Sequence, residues 1–241
     1  MMIKMKQIFL LFVLLLLMPI QGWCGQTLLR YQAYGAGLNL MTAEMGFDVS
    51  DRVFRAQSIA ETKGMLRILL NAQSVFYSEG KIQNNQFVDD NSYIETLTKN
   101  KHKKRVIDLK DKQNFVDYQT ALLQMMYLDM PQDKTFKVYD GKREMILTFD
   151  YQKQVVLAPE KNVFYSGPAD YYTLTIDITK GKKKGWFFNR MGNKKNPPLH
   201  LYFALVKGIS PKLMVKGAFD TALFGTISIH LNHVSIQGGE K

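Results

Sequence analysis

Between positions 41 and 49, apolar residues alternate with polar ones. Met41, Ala43, Met45, Phe47 and Val49 fall on one side, with Thr42, Glu44 and Asp48 on the other. The same two-residue period runs through Tyr172, Leu174, Ile176 and Ile178, through Leu199, Leu201, Phe203 and Leu205, and through Ile227, Ile229 and Leu231. Successive strand side chains point to opposite faces, so these runs predict a sheet with one buried and one wetter face. Weaker signals of the same kind lie at 28–34, 52–61, 74–79, 87–97, 106–109, 136–139, 144–149 and 213–217. Many short strands parted by turn residues predict a mainly β chain. Its expected form is an antiparallel curved sheet or incomplete β-barrel, not an alternating α/β sheet.

Two stretches break the period. Positions 64–71 form a short apolar segment of about two helical turns. Positions 117–127 open on Asp117, a residue type that caps helices, and stop before Pro131. Tyr118, Leu122, Met125 and Met126 recur there at helical spacing, giving one apolar face. The expectation is one inner α-helix on the concave side of the sheet and a short second helix. The methionines are either core filler or an adaptable lining for a greasy ligand. On the second reading, Leu122, Met125, Met126, Leu174, Ile176 and Phe203 line an apolar groove. Turns are expected at 78–81, at Asp140-Gly141 and at the Gly35/Gly37 pair, since tight hairpins need residues that accept positive φ. The glycine pair lacks the third glycine and the following helix of a dinucleotide-binding fingerprint, and reads as a turn or bulge.

The start of the chain follows another plan. Lys4 and Lys6 precede an apolar run from Ile8 to Met18, followed by Pro19 and the small-residue step around Gly22 and Gly25. That is the layout of a cleavable secretory signal peptide, and the run is short for a membrane span of about 20 residues. Residues 1–24 are therefore expected to be a signal peptide, and 25–241 a single β-rich domain of a size that supports one core. Cys24 is the single cysteine. Cleavage after it removes any disulfide or thiolate chemistry. A lipidated Cys24 would instead anchor the protein, but Trp23 stands where a small residue is normally found. The formal net charge is +11, of which Lys4 and Lys6 contribute two, leaving +9. An exported basic protein points to anionic membrane surfaces, lipopolysaccharide or acidic glycans as counter-charges, and away from nucleic acid. The same excess of base also serves solubility alone.

Catalytic and metal signatures are sparse. His230 and His233, three apart in a strand pattern, are expected on opposite faces, with His230 on a solvated one. There is no His-x-His and no His-Glu-x-x-His, so neither metal nor other cofactor is expected. No nucleophile motif is present, and the adjacent Asp89 and Asp90 should diverge on a polar strand or loop. The expectation is a protein that is not an enzyme. The run from Lys99 to Arg105 reads as a hairpin tip or exposed edge, where lysines deter edge-to-edge pairing. A second block sets Lys182, Lys183, Lys184 and Arg190 around Trp186, Phe187 and Phe188. If exposed, it would dock on an anionic membrane or lipopolysaccharide, each base adding about 1 kcal/mol. If the rings pack inward, the lysines are only a solvated loop.

In order, Tyr31, Gly35 and Gly37, the Thr62-Lys63-Gly64 step, Ser78-Glu79-Gly80, the helix from Asp117 to Met126, Tyr139-Asp140-Gly141-Lys142-Arg143, Pro211 and Phe224-Gly225-Thr226 follow one plan. That plan resembles a bacterial exported family known only as domain of unknown function 3108, over nearly all of the chain after residue 24. The chain departs from it at 83–86, which lacks the family's Gly-Leu-x-Pro-like segment, and has no cysteine before the Asp-Gly strand. The resemblance implies a half-open β-barrel with an inner helix, similar in outline to lipoprotein carrier and receptor (Lol-type) proteins of the Gram-negative envelope. It implies no catalytic residues. The expected function is a non-catalytic periplasmic envelope protein binding a lipid, acyl chain or lipid-linked ligand in an apolar groove. The alternative is an envelope protein-interaction or assembly factor with a filled core and a basic partner-binding face.

Overall fold

The computed structural model describes residues 26–99, 101–160, 163–181, 198–221 and 224–237. The expected signal segment and the block carrying Lys182, Lys183, Lys184, Trp186, Phe187, Phe188 and Arg190 lie outside the described residues.

The chain opens with β1 (Gln26–Gly35), β2 (Leu38–Val49) and β3 (Val53–Thr62), then the short helix α1 (Gly64–Leu70). Next come β4 (Gln73–Gln83), β5 (Gln86–Thr98), β6 (Lys101–Ile107) and the two-residue β7 (Phe115–Val116), which leads into helix α2 (Tyr118–Met126). The remainder is β8 (Lys134–Tyr139), β9 (Glu144–Leu157), β10 (Gly167–Lys180), β11 (Leu199–Ala204), β12 (Leu213–Thr221) and β13 (Gly225–Gln237). All join one sheet in the order β6-β5-β4-β3-β2-β1-β13-β12-β11-β10-β9-β8-β7. Neighbours are antiparallel throughout, except that β7 runs parallel to β8. The fold is mainly β: one large, open, curved sheet that does not close, with two helices among the described residues.

The core lies on the concave side. Leu29, Phe47, Phe54, Phe149, Phe203, Leu213 and Leu231 are almost fully buried from the strands. They meet Ala121, Leu123, Met125 and Met126 of α2 in one cluster. Burying each Leu, Phe or Met side chain contributes about 1.5–3 kcal/mol, so the inner helix is a principal stabilising element. A smaller cluster of Ala33, Leu40, Leu66 and Ile227 closes the end of the sheet that carries the β1–β2 turn. Among the described side chains of α1, Leu66 is buried, whereas Met65 and Ile68 stand exposed beside it.

Every predicted strand and both helices are present, with local corrections. The alternation that defines β2, β10, β11 and β13 places their apolar sides inward, as expected. The basic run forms β6, the end strand of the sheet, so it is an edge. Positions 78–81 are not a turn: they lie inside β4, and the chain reverses at Asn84 and Asn85, both at positive φ. Gly80 is needed for a different reason. A Cβ there would sit 2.0 Å from the Val88 carbonyl oxygen, because β5 bulges toward it. At the seam between the two ends of the sheet, Arg105 of β6 donates through Nη1 to the Asp140 carbonyl at 2.9 Å. Buried Asp140 also receives the Arg143 guanidinium and the amides of Lys142 and Arg143, which fixes the β8–β9 turn.

Candidate functional site

Asp117 caps α2. Its Oδ1 accepts from the amides of Gln119 at 2.7 Å and Thr120 at 2.9 Å, satisfying donors that a helix start leaves free. Its Oδ2 accepts from the Ser78 hydroxyl of β4 at 2.6 Å. Asp89 of β5 holds the same helix start: its Oδ2 accepts the Asp117 amide at 2.8 Å and its Oδ1 the Thr120 hydroxyl. The β4–β5 register explains how Asp89 arrives there. Gly80 pairs with Asp89 and Glu79 with Asn91, so Asp90 is an extra, bulged residue. The extra residue restores Ser92 to the inner face, where Phe87 and Asp89 already point. Desolvation first, and the adjacent Asp117 carboxylate second, push the Asp89 pKa well above the usual carboxylate range.

This tie fixes which way α2 lies across the sheet, and so where its other end emerges. There the helix, the β2–β3 turn and the β4–β5 turn surround an open cleft of about 760 Å³. Val49, Ile82, Phe87, Tyr127 and Leu128 give it an apolar floor that continues into the main core. Asn84, Asn85, Gln86, Asp129, Gln132 and Lys134 form a polar rim, with Met130 exposed beside them. Phe87 and Tyr127 meet with ring centroids 5.4 Å apart. Burial, followed by the charge of Asp48, pushes the Tyr127 hydroxyl up to about 12, so it stays a neutral hydrogen-bonding group at neutral pH. An apolar floor with an amide-rich rim suits an amphiphilic ligand.

The residues expected to line a groove are brought together but differently used. Met125, Met126, Leu174 and Phe203 are buried, and Leu122 and Ile176 pack against the same cluster. The helix fills the concavity they would have lined, and the open cleft uses other residues. The aromatic docking block lies outside the described residues, but its roots do not. β10 ends at Lys180, paired with Glu144, and β11 begins at Leu199. The Lys180 root lies at the β8–β9-turn end of the sheet, whereas Leu199, paired with Leu174, is level with Phe149 and Lys134 at the other end of β8, where Lys134 borders the cleft. Six residues of β8 at roughly 3.3 Å each separate the two ends by about 20 Å.

The outer face departs from expectation at β13. Arg30 pairs with His233, Gln32 with His230, and Tyr31 with Leu231, so Asn232 is a bulged residue. The bulge sets His230 and His233 on the same face, not on opposite ones. His230 is not solvated either: it is buried, and desolvation, with Lys216 nearby, holds its pKa below the usual imidazole value. Among the described residues no group of three His, Cys, Asp or Glu side chains converges as a metal site. Asp89 and Asp90 do diverge from each other, but the bulge makes Asp89 a partner of Asp117 instead. Gly80 stands opposite the β5 bulge, and Asn84-Asn85 mark the true β4–β5 turn.

No family model matches the chain, and no curated protein matches it. Among solved structures, it is similar to a β-barrel-like protein of domain of unknown function DUF1849 from Brucella abortus. That likeness has a TM-score of 0.45 and 9% identity, and covers 88% of this chain and 98% of the other.

Proposed function

We propose that the chain is a non-catalytic binding protein of the Gram-negative envelope, of the kind grouped in domain of unknown function 3108. It receives an acyl chain or lipid-linked ligand in the cleft at the C-terminal end of α2. The observation that carries this reading is the apolar floor of that cleft, continuous with the core and ringed by amides together with the charged Asp51, Asp129 and Lys134. The floor would take a chain end while the rim meets a head group. Native mass spectrometry of the exported protein, purified without harsh detergent and then solvent-extracted, tests it. A reproducible acyl or lipid mass is expected, and Leu128→Trp, which crowds the cleft, should abolish it. A clean apo mass across preparations overturns the reading.

Docking on an anionic membrane or lipopolysaccharide belongs to the opposite end. Lys180, after which the aromatic block begins, stands there. Leu38, Met65 and Ile68 are exposed at that same end, with Arg67 beside them. Apolar side chains among bases suit a lipid interface, where the rings and aliphatics enter and the cations meet phosphates. Replacing Trp186, Phe187 and Phe188 with Ser should release the protein from anionic vesicles, and unchanged binding refutes the docking.

The filled concavity favours a second reading, an assembly factor that meets an acidic partner through β6. That edge strand presents Lys101, Lys103 and Lys104. An apo mass together with specific low-salt capture of one acidic envelope protein would select it.

A further inference from the structure

We propose a second binding site, on the outer face of the sheet, that takes a neutral oligosaccharide between Tyr34 and Phe164. A depression of about 600 Å³ opens there, lined by Gln32 and Tyr34 of β1, Asn39 of β2, Asn232 of β13, and Val163 and Phe164 of the β9–β10 connection. That is within the size range of ligand sites. The connection is pinned over the sheet: the Phe164 amide donates to the Leu231 carbonyl at 3.0 Å, and the Tyr165 hydroxyl to the Pro168 carbonyl at 2.6 Å. The bulge at Asn232 interrupts the β1–β13 ladder beside Leu231 and so lets that carbonyl accept the connection.

The lining selects the ligand. Two aromatic rings and Val163 stand in a wall with three side-chain amides, and Phe164 is 44% exposed. The Oδ1 atoms of Asn39 and Asn232 have no hydrogen-bond partner among the described residues, nor has Nδ1 of buried His230, which lies edge-on behind Tyr34. Unmade hydrogen bonds of this kind favour a ligand that brings its own hydroxyls. Among the described residues charge does not select it, because the neighbouring Arg30 and Lys216 are already paired. Arg30 binds Glu44 at 2.8 Å and Lys216 binds Glu160 at 2.9 Å. A partner strand is disfavoured too, since β1, β2 and β13 are interior strands paired on both sides. A sugar ring meets all three conditions. It is uncharged, it offers an apolar C–H face to an aromatic ring, and its edge hydroxyls both donate and accept.

The full-length exported protein is titrated with cellotetraose, maltotetraose and chitotetraose, using saturation-transfer NMR and calorimetry. A tetra-uronate of matched length serves as the charged control. At least one neutral tetrasaccharide should bind, and Phe164→Ala should weaken it about tenfold, the scale of one lost ring contact, with an unchanged melting temperature. Asn232→Ala should weaken it independently of Phe164. Leu128→Trp, at the remote cleft, should leave saccharide binding intact, which separates this site from the lipid reading. Absence of binding by all three neutral sugars at about 10 mM overturns the proposal, that concentration corresponding to the weakest useful affinity. So does binding by the uronate alone, or binding that Phe164→Ala leaves unchanged.

Discussion

Asp89 accepts two hydrogen bonds at the start of α2 while its carboxyl lies beside that of Asp117. Its folded pKa is therefore raised above the unfolded one, and the folded state holds the proton more tightly. The stabilisation is complete below the unfolded carboxylate range near pH 4, and is lost as pH rises through the folded value. Asp89→Asn mimics the protonated form, so its melting temperature should change less than wild type between pH 5 and roughly 8. Thermal melts across that range decide the matter, and parallel profiles would refute the assignment. His230 has the opposite slope. Its folded pKa is depressed, so its contribution is present above the unfolded imidazole value near 6.5 and is lost as pH falls from there through the folded value. His230→Gln should therefore flatten the acid side of the same profile. Gly80 is a purely steric position. A Cβ 2.0 Å from the Val88 oxygen cannot be accommodated without moving backbone, and Gly80→Ala should cost about 3 kcal/mol in denaturant unfolding.

The elements themselves were largely legible in the sequence, because each rests on one local rule. Alternation in β2 and β10 shows in the residues themselves, as does the Asp117 cap followed by apolar positions at helical spacing in α2. The basic run of β6 announced an edge because lysines are tolerated where no further strand pairs. Register was not legible. One bulged residue, Asp90 or Asn232, reverses which face every later side chain meets, and it is recognisable only against the partner strand. Alternation alone therefore sets Asp89 on a polar strand or loop and His230 and His233 on opposite faces. Burial and the presence of a groove are likewise separate questions. Apolar periodicity in Met125 and Met126 identifies a buried face, but whether a cavity remains beside it depends on how closely the helix sits, and here it fills the space. Hence Met125→Ala should behave as a core truncation. It should lose about 2–4 kcal/mol of stability, measured by chemical denaturation, and a ligand effect without destabilisation would contradict the packing.

At the scale of the whole molecule, the open sheet has two structurally distinct ends. The α2 cap at Asp117 directs the helix so that the lipid-sized cleft opens by the β2–β3 and β4–β5 turns. Lys180 and the exposed Met65 and Ile68 belong to the opposite end. A protein docked through the second end would hold its cleft about 20 Å from the head groups, pointing into solvent and not into the bilayer. Ligand would then be exchanged with a soluble partner or another membrane, and surface docking and cleft occupancy should be independent. In a two-by-two design, Met65→Ser with Ile68→Ser should weaken sedimentation with anionic vesicles while leaving the co-purified mass unchanged. Leu128→Trp should remove the mass and leave sedimentation unchanged. The double combination should show both losses with no further coupling, since the two sets share no contact. If emptying the cleft altered vesicle affinity several-fold, the two ends would be linked through α2. The rigid, filled core described here would then have to shift between states.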